Sequence, residues 1–457
     1  MPQIIEGTLT LDDARRHIPH SFDVPPGAKQ ISIRFDYNPK QPAPGRFAHE
    51  VSISLFDPET GRGARHCNPD QAILLTPDGA TPGYTPGPLT PGEWTVFIDT
   101  HRILPPGGVR YTLEIDVSTE PSDFRTPVFQ KGATAPRGPG WYRGDLHGHT
   151  LHSDARWSVA DFVAYARGRA LDFVTLTDHN TVSALAECDS MANDDLLTLG
   201  GMELTTFAGH CLSIGPREWM DWRVRDGDTM ADVAKRHMAA GGFYIIAHPM
   251  CIGEPFCSGC TWQYPDMMPG VAPAVEVWNG PWDQESNNED ALKLYYRWLN
   301  QGHRLVATAG SDTHGPFPSN ARIGYNHVYA EALSEDAILG ALRQGHSYVS
   351  SGPRLSLTVE TADGNAGMMG DAFDAATAEI KASFEDCPSG AMAWLIAGGS
   401  KHKGADVQVL DEVSLDEKRS ERWTVRPEGQ FAWYAVEVLD PDGQVHALTN
   451  PVYFSRP

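Results

Sequence analysis

Between residues 142 and 350, short apolar runs alternate with helical patterns, and run after run ends in histidines and carboxylates. Residues 171–177 form a nearly continuous apolar run, as in a strand buried on both faces, and end in Asp178-His179-Asn180. The run 196–199 leads into Gly201-Met202-Glu203, and His210 opens the run 211–214. Residues 243–246 lead into Ala247-His248-Pro249, and 305–308 into Gly310-Ser311-Asp312-Thr313-His314. Residues 275–278 read as a further strand. Helical patterns lie between the runs. One starts at Ser158, an N-cap with Asp161 three residues on, and continues to about Arg169. The others cover 230–240, 290–300 and 335–344. Repeated βα units predict a parallel sheet or barrel. Strand C-termini in such folds share one face, so these polar residues would converge on one mouth.

The flanks have another rhythm. In residues 1–120 the runs 31–35, 51–56, 94–98 and 111–115 alternate apolar and polar, with Pro- and Gly-rich turns between them. This predicts a small antiparallel sandwich. Its His17, His20, His49, His66 and His101 are scattered and read as structural or surface residues. Residues 121–141 carry Pro121, Pro127, Pro136 and Pro139 with no apolar period, and read as a linker. The α/β segment is then 142–353. From 354 to 457 the runs 355–359, 378–382, 393–396 and 433–438 predict a second β-sandwich.

With 457 residues the chain exceeds one ordinary core. Its net charge of -23 argues against nucleic-acid or anionic-membrane partners, because phosphate backbones select basic faces. A small phosphorylated substrate stays compatible, since bound cations supply positive charge locally. No run of 18 or more apolar residues predicts a membrane span. Residues 1–7 lack the basic start and apolar stretch of a secretory signal. The seven cysteines are sparse and odd in number, which fits a reducing cytoplasm, the expected location.

The densest polar stretch runs from Gly144 to Asp154. If its start is a strand, alternation puts Asp145, His147 and His149 on one face. A lone His-x-His is a weak signal. Combined with His179, Glu203, His210, His248, Asp312 and His314, it points to a shared metal cluster, because clustered imidazoles and carboxylates must be satisfied. The set has no thiolate and suits divalent Zn, Mn or Fe rather than Ca. Eight or nine ligands exceed the need of one ion, so two to three ions are implied, with Glu203 as the expected bridge.

His147-Gly148-His149, Asp154, Asp178-His179, Glu203, His210, His248-Pro249 and Asp312-Thr313-His314 resemble, in order and spacing, the PHP (polymerase and histidinol phosphatase) family of metallohydrolases. The resemblance covers about residues 142–350. The three-segment layout and the stretch from Val275 to Trp282 look most like its CehA/McbA branch. The resemblance implies a distorted (β/α)7 barrel with a di- or trinuclear centre at the C-terminal strand ends. By it, His147, His149, Glu203 and Asp312 would hold one ion; Glu203, His210 and His248 a second; Asp154, His179 and His314 a third. An acidic residue at the place of Asp154 accompanies the trinuclear form. Asp145 has no matching motif and reads as a support to the ligands.

The expected reaction is in-line attack on phosphorus by a hydroxide held between two ions. The third ion, with Arg322 if it turns inward, would offset developing charge. Asp178 is the candidate proton shuttle or histidine orienter, and His152 is expected near the site without ligating. The leading function is a phosphoesterase acting on a small mono- or diester. The alternative is hydrolysis of a carbamate, ester or amide, which the absence of lysine from 142 to 234 favours. A third class is a non-catalytic protein whose sandwiches bind a carbohydrate or a partner. The expected partner is a small-molecule substrate, and a homo-oligomer is compatible with the sequence. Cys257-Ser258-Gly259-Cys260 allows half a zinc knuckle or a redox pair, and is read as shaping the loop after His248. Trp262, Tyr264, Trp278 and Trp282 read equally as core or as an aromatic pocket wall, and Asn279 and Asn288 as weak candidates to orient substrate.

Overall fold

A computed structural model describes residues 2–284, 286–416 and 419–455. At the N-terminus a five-stranded sheet runs in the order Gln3–Leu9, Val109–Ser118, Gln30–Asn38, Ala72–Thr76, Gly79–Ala80. It faces a four-stranded sheet of His17–Val24, Gly92–Arg102, Glu50–Phe56 and Gly61–Ala64. Alternation along the strands sends Ile31, Ile33, Ile53, Trp94, Val96 and Leu113 inward, where all six are fully buried. Residues 119–139 carry no helix or strand.

The middle segment is built from two sheets. One holds Leu197–Leu199, Phe173–Thr175, Gly140–Asp145, Tyr325–Ala330 and Ser347–Ser350. It runs on without a break into Val445–Thr449, Phe431–Leu439, Met392–Gly399 and Gln408–Ser414, so the middle segment and the C-terminal β region share one sheet. A four-stranded sheet of Ala366–Met368, Arg354–Thr361, Ala378–Glu385 and Ser420–Val425 supplies the other layer of the C-terminal region. The second middle sheet is ordered Gly201–Thr206, Gly209–Ile214, Phe243–Ile246, Ala274–Asn279, Val306–Gly310. The two middle sheets touch at two isolated parallel bridges, His179 to Glu203 and Gly148 to Thr313.

This is a mixed α/β architecture, richer in strands than a regular (β/α)7 barrel. Five α-helices occur among the described residues. One cause is local. Gly201–Thr206 and Gly209–Ile214 pair antiparallel through a connection of only Phe207 and Ala208, whereas a parallel crossover needs a dozen residues or more. The helices that do form start at good caps. Ser158 accepts from the Asp161 N–H while Asp161 reaches back to the Ser158 N–H, and Thr229 and Asp232 repeat the device. Behind the mouth, Tyr244, Trp278, Tyr295 and Trp298 fill the core of the second sheet.

Candidate metal centre

Backbone pairing brings the ligand-bearing loops together. The Asp312 N–H donates to the His147 carbonyl at 3.0 Å, and the His149 N–H to the Thr313 carbonyl at 3.0 Å. The Glu203 N–H reaches the Thr177 carbonyl at 3.2 Å, and the Asn180 N–H the Glu203 carbonyl at 2.9 Å. The Ala247 N–H donates to the His210 carbonyl at 3.1 Å, next to His248. His248 and Asp312 adopt left-handed φ of 27° and 48°, a conformation that costs energy and is concentrated at functional sites. Gly310 permits the closest approach: a Cβ there would lie 2.2 Å from Glu276 Oε1 and 2.3 Å from His147 Cβ.

Glu203 lies at the centre and is fully buried. Its Oε2 is 2.9 Å from His179 Nδ1, 3.2 Å from His147 Nε2 and 3.3 Å from His149 Nε2. Its Oε1 is 3.0 Å from His210 Nδ1 and 3.2 Å from His248 Nε2. Asp312 Oδ1 lies 2.9 Å from His149 Nε2 and 3.4 Å from His147 Nε2. Toward solvent, Asp154 Oδ1 lies 3.1 Å from His314 Nε2 and 3.5 Å from His179 Nε2. All nine residues singled out as ligands therefore meet in one place.

The groups perturb one another strongly. Burial disfavours charge on Glu203, yet the imidazoles of His179, His147 and His210 hold its carboxyl well below the usual range. Burial likewise opposes charge on His147, but Asp312, Glu276 and Glu203 keep its imidazole well above its ordinary value. His149 goes the other way: burial, then the charges of His179 and His314, push it down to about 4.

Three imidazoles direct one nitrogen outward and the other into the cluster. His147 Nδ1 donates to Glu276 Oε1 at 3.1 Å, His210 Nε2 to the Ser258 carbonyl at 3.3 Å, and His314 Nδ1 to the Asp312 carbonyl at 2.9 Å. The inward nitrogen of each is the one that would bind a metal ion, with the outer partner fixing the orientation of the ring. His147 Nε2, His149 Nε2, Glu203 Oε2 and Asp312 Oδ1 are buried without a hydrogen-bond partner, an arrangement that is costly unless a cation satisfies it. Their donor atoms fall into four overlapping groups, each within 4.8 Å: His149, Asp154, His179 and His314; His147, His248 and Asp312; His147, His149 and Glu203; His179, Glu203 and His210. The residues are compatible with metal binding. The grouping differs from the expected sets in adding His149 to the Asp154 group, in placing His248 with His147 and Asp312, and in placing His179 also with Glu203 and His210.

The remaining candidates lie around this cluster. Asp145 Oδ1 accepts from the N–H groups of His147 and Ser311, pinning two ligand loops. Asp178 accepts from the Thr150 N–H and hydroxyl and from the Ser153 hydroxyl at 2.6–2.7 Å, so its carboxylate fixes the loop that carries Asp154. His152 hydrogen-bonds Ser183. Arg322 turns to Asp283, Asp440 and Gln444, and its charge is matched there. Cys257 and Cys260 pair as a disulfide in the loop whose Ser258 carbonyl holds His210. Trp262 and Trp278 are core residues, each donating its indole N–H to a carbonyl. Asn279 donates to Glu276 and Asp312, and Asn288 holds the Asn279 backbone.

Two features lay outside the sequence reading. Glu276 sits in an apolar run, and only its position on a strand face beside the mouth could have marked it. The N-terminal histidines are not all scattered or superficial. His66 and His101 are buried, and the His66 ring lies 4.9 Å from that of His179. His49 is buried too, accepting from the Leu104 N–H. Nothing local in the sequence reports a contact made between domains.

Among the described residues no helix is long and apolar enough to cross a membrane. No family model and no curated protein matches the sequence. Among solved structures, a two-domain protein from Bacteroides vulgatus containing a predicted PHP-like metal-dependent phosphoesterase is similar at 16% identity, with a TM-score of 0.38, over 71% of this chain and 99% of that one. An amidohydrolase from Chromobacterium violaceum is similar at 18% identity, with a TM-score of 0.28, over 38% of this chain and 88% of that one.

Proposed function

We propose that this chain is a multinuclear metal-dependent hydrolase of PHP type, nearest the CehA/McbA branch, that cleaves a small phosphate mono- or diester. We read its two bridged middle sheets as an opened, distorted form of the (β/α)7 barrel. The supporting observation is the outward anchoring of His147, His210 and His314, which turns their other nitrogens toward the carboxylates of Glu203 and Asp154 at the cluster. Divalent ions bound there would lower the pKa of a water enough to make a nucleophile near neutral pH and would offset charge on the substrate.

The chain's own part is positioning. His147, His149, His248, Glu203 and Asp312 supply donors around the inner part of the centre, with Glu203 and His210 on its far side. Asp154, His179 and His314 supply the outer, more exposed group. Asp145 and Asp178 hold the loops carrying these ligands, and Asn279 holds Asp312 and Glu276. Divalent ions bound beside Asp154, Glu203 and Asp312 would supply positive charge where an anionic phosphate ester could meet it, without help from arginine.

A second reading is hydrolysis at carbon, of a carbamate, ester or amide. It is favoured by Arg322, whose charge is matched by Asp283 and Asp440 rather than offered to a phosphate. Assaying the metal-loaded protein side by side on bis(4-nitrophenyl) phosphate and an aryl N-methylcarbamate separates the two. Faster turnover of the phosphodiester supports the first reading; turnover of the carbamate alone overturns it in favour of the second.

A further inference from the structure

We propose that the N-terminal sandwich is a working part of the metal centre, with Arg65 and Asn68 as positioning residues for the outer ion that Asp154, His179 and His314 would hold. This rests on the metal-centre reading above and adds to it a dependence on a second domain.

Two turns of the sandwich grip the loops that carry Asp154 and His179 of that outer group. In the first, Asn68 Nδ2 donates to the Ser153 carbonyl at 2.8 Å, one residue before Asp154. Arg65 donates from the same turn to the Leu151 carbonyl at 3.3 Å. Between them His66 lays its ring 4.9 Å from the His179 ring, and its Nδ1 contacts His101 Nε2 at 3.2 Å. In the second turn, Gly83 takes a hydrogen bond from Thr181 Oγ1 at 2.7 Å, and its N–H donates to Ser183 Oγ at 3.0 Å, just after His179. Gly83 has φ of 96°, and a Cβ there would lie 2.9 Å from the His152 carbonyl, so the two domains meet here at backbone distance. Asp178 holds the Asp154 loop from the barrel side through Thr150 and Ser153. The loop is thus clamped from both sides, and release of one clamp frees the ligand.

Outer partners that orient a ligand are typically worth about 10- to 100-fold in metal affinity. The test is titration of the chelator-stripped, full-length chain with Mn²⁺ alone, followed by calorimetry and by metal analysis after gel filtration. Asn68→Ala is compared with Asp154→Asn as the reference for loss of the outer ion. Arg65→Met is the second variant should Asn68→Ala fail to fold, as judged by circular dichroism. The expected result is three ions in the unaltered chain. In the folded variants the tight ions stay unchanged and the weakest binds about 10- to 100-fold less tightly, matching the stoichiometry of Asp154→Asn. A general structural role would instead weaken all ions together or none. Three ions with unchanged affinity in both folded variants overturn this inference alone. Two ions in the unaltered chain overturn it while leaving a dinuclear hydrolase intact, and one or none removes the metal-centre reading as well.

Discussion

His147 turns its Nδ1 to Glu276 Oε1 at 3.1 Å, and this contact decides which nitrogen faces the cluster. The other oxygen of Glu276 accepts from the His248 N–H and from Asn279 Nδ2, both at 2.9 Å, so one buried carboxylate sets two ligands. Replacing Glu276 by Gln keeps the shape and removes the charge. The variant should fold and should lose about 10- to 100-fold in affinity for metal, measured by competition with a chromogenic chelator. Unchanged affinity would remove Glu276 from the account.

Gly310→Ala should damage the centre without altering a ligand. The new methyl would press on Glu276 Oε1 and His147 Cβ at little over 2 Å, at the end of a buried strand with no room to yield. The expected cost is about 1–3 kcal/mol of stability together with a loss of metal, read from denaturant melts and metal analysis. A variant with normal melting and full metal content would show that the loop relaxes freely.

Glu203→Ala removes the residue shared by two of the ligand groups. Turnover of bis(4-nitrophenyl) phosphate should fall by about a hundred- to a thousandfold, since two of the donor groups lose their shared carboxylate. Turnover near that of the unaltered protein would remove Glu203 from its central role.

Acid should destabilise the protein partly through histidines remote from the centre. His327 is buried against Tyr348; burial, then the charges of Arg143 and Arg354, lower it to about 3, and burial lowers His237 to about 4. Both are neutral in the fold, whereas the unfolded chain takes up a proton near pH 6.5. Their stabilisation is therefore present above about pH 6.5 and is lost as pH falls toward about 3 to 4. His327→Phe should flatten the acid side of the melting-temperature profile, and an unchanged slope between pH 6.5 and 4 would show that His327 does not supply it.

The sequence made the ligand positions readable because each follows an apolar run, where a buried strand must end. Capping pairs such as Ser158 with Asp161 made the helices readable for a local reason as well. What escaped was non-local. The hairpin of Gly201–Ile214 depends on a two-residue connection, and its first strand, Gly201–Thr206, lies beyond the apolar run 196–199. The part played by His66 depends on where the sandwich docks, and that is set by contacts such as Asn68 to Ser153, 85 residues apart. The sheet shared between the middle segment and the C-terminal region depends on Ser347–Ser350 pairing with Val445–Thr449, which no local pattern announces. Arg322, expected to offset charge if it turned inward, takes its partners Asp440 and Gln444 from that distant C-terminal region.

The central claim is that His147, His149, Asp154, His179, Glu203, His210, His248, Asp312 and His314 form one multinuclear centre. The most direct measurement is elemental analysis of the purified full-length chain after equilibration with Zn²⁺ or Mn²⁺ and removal of free ions. Two to three ions per chain are expected, and where three are bound Asp154→Asn removes one. One ion or none in the unaltered chain would contradict it.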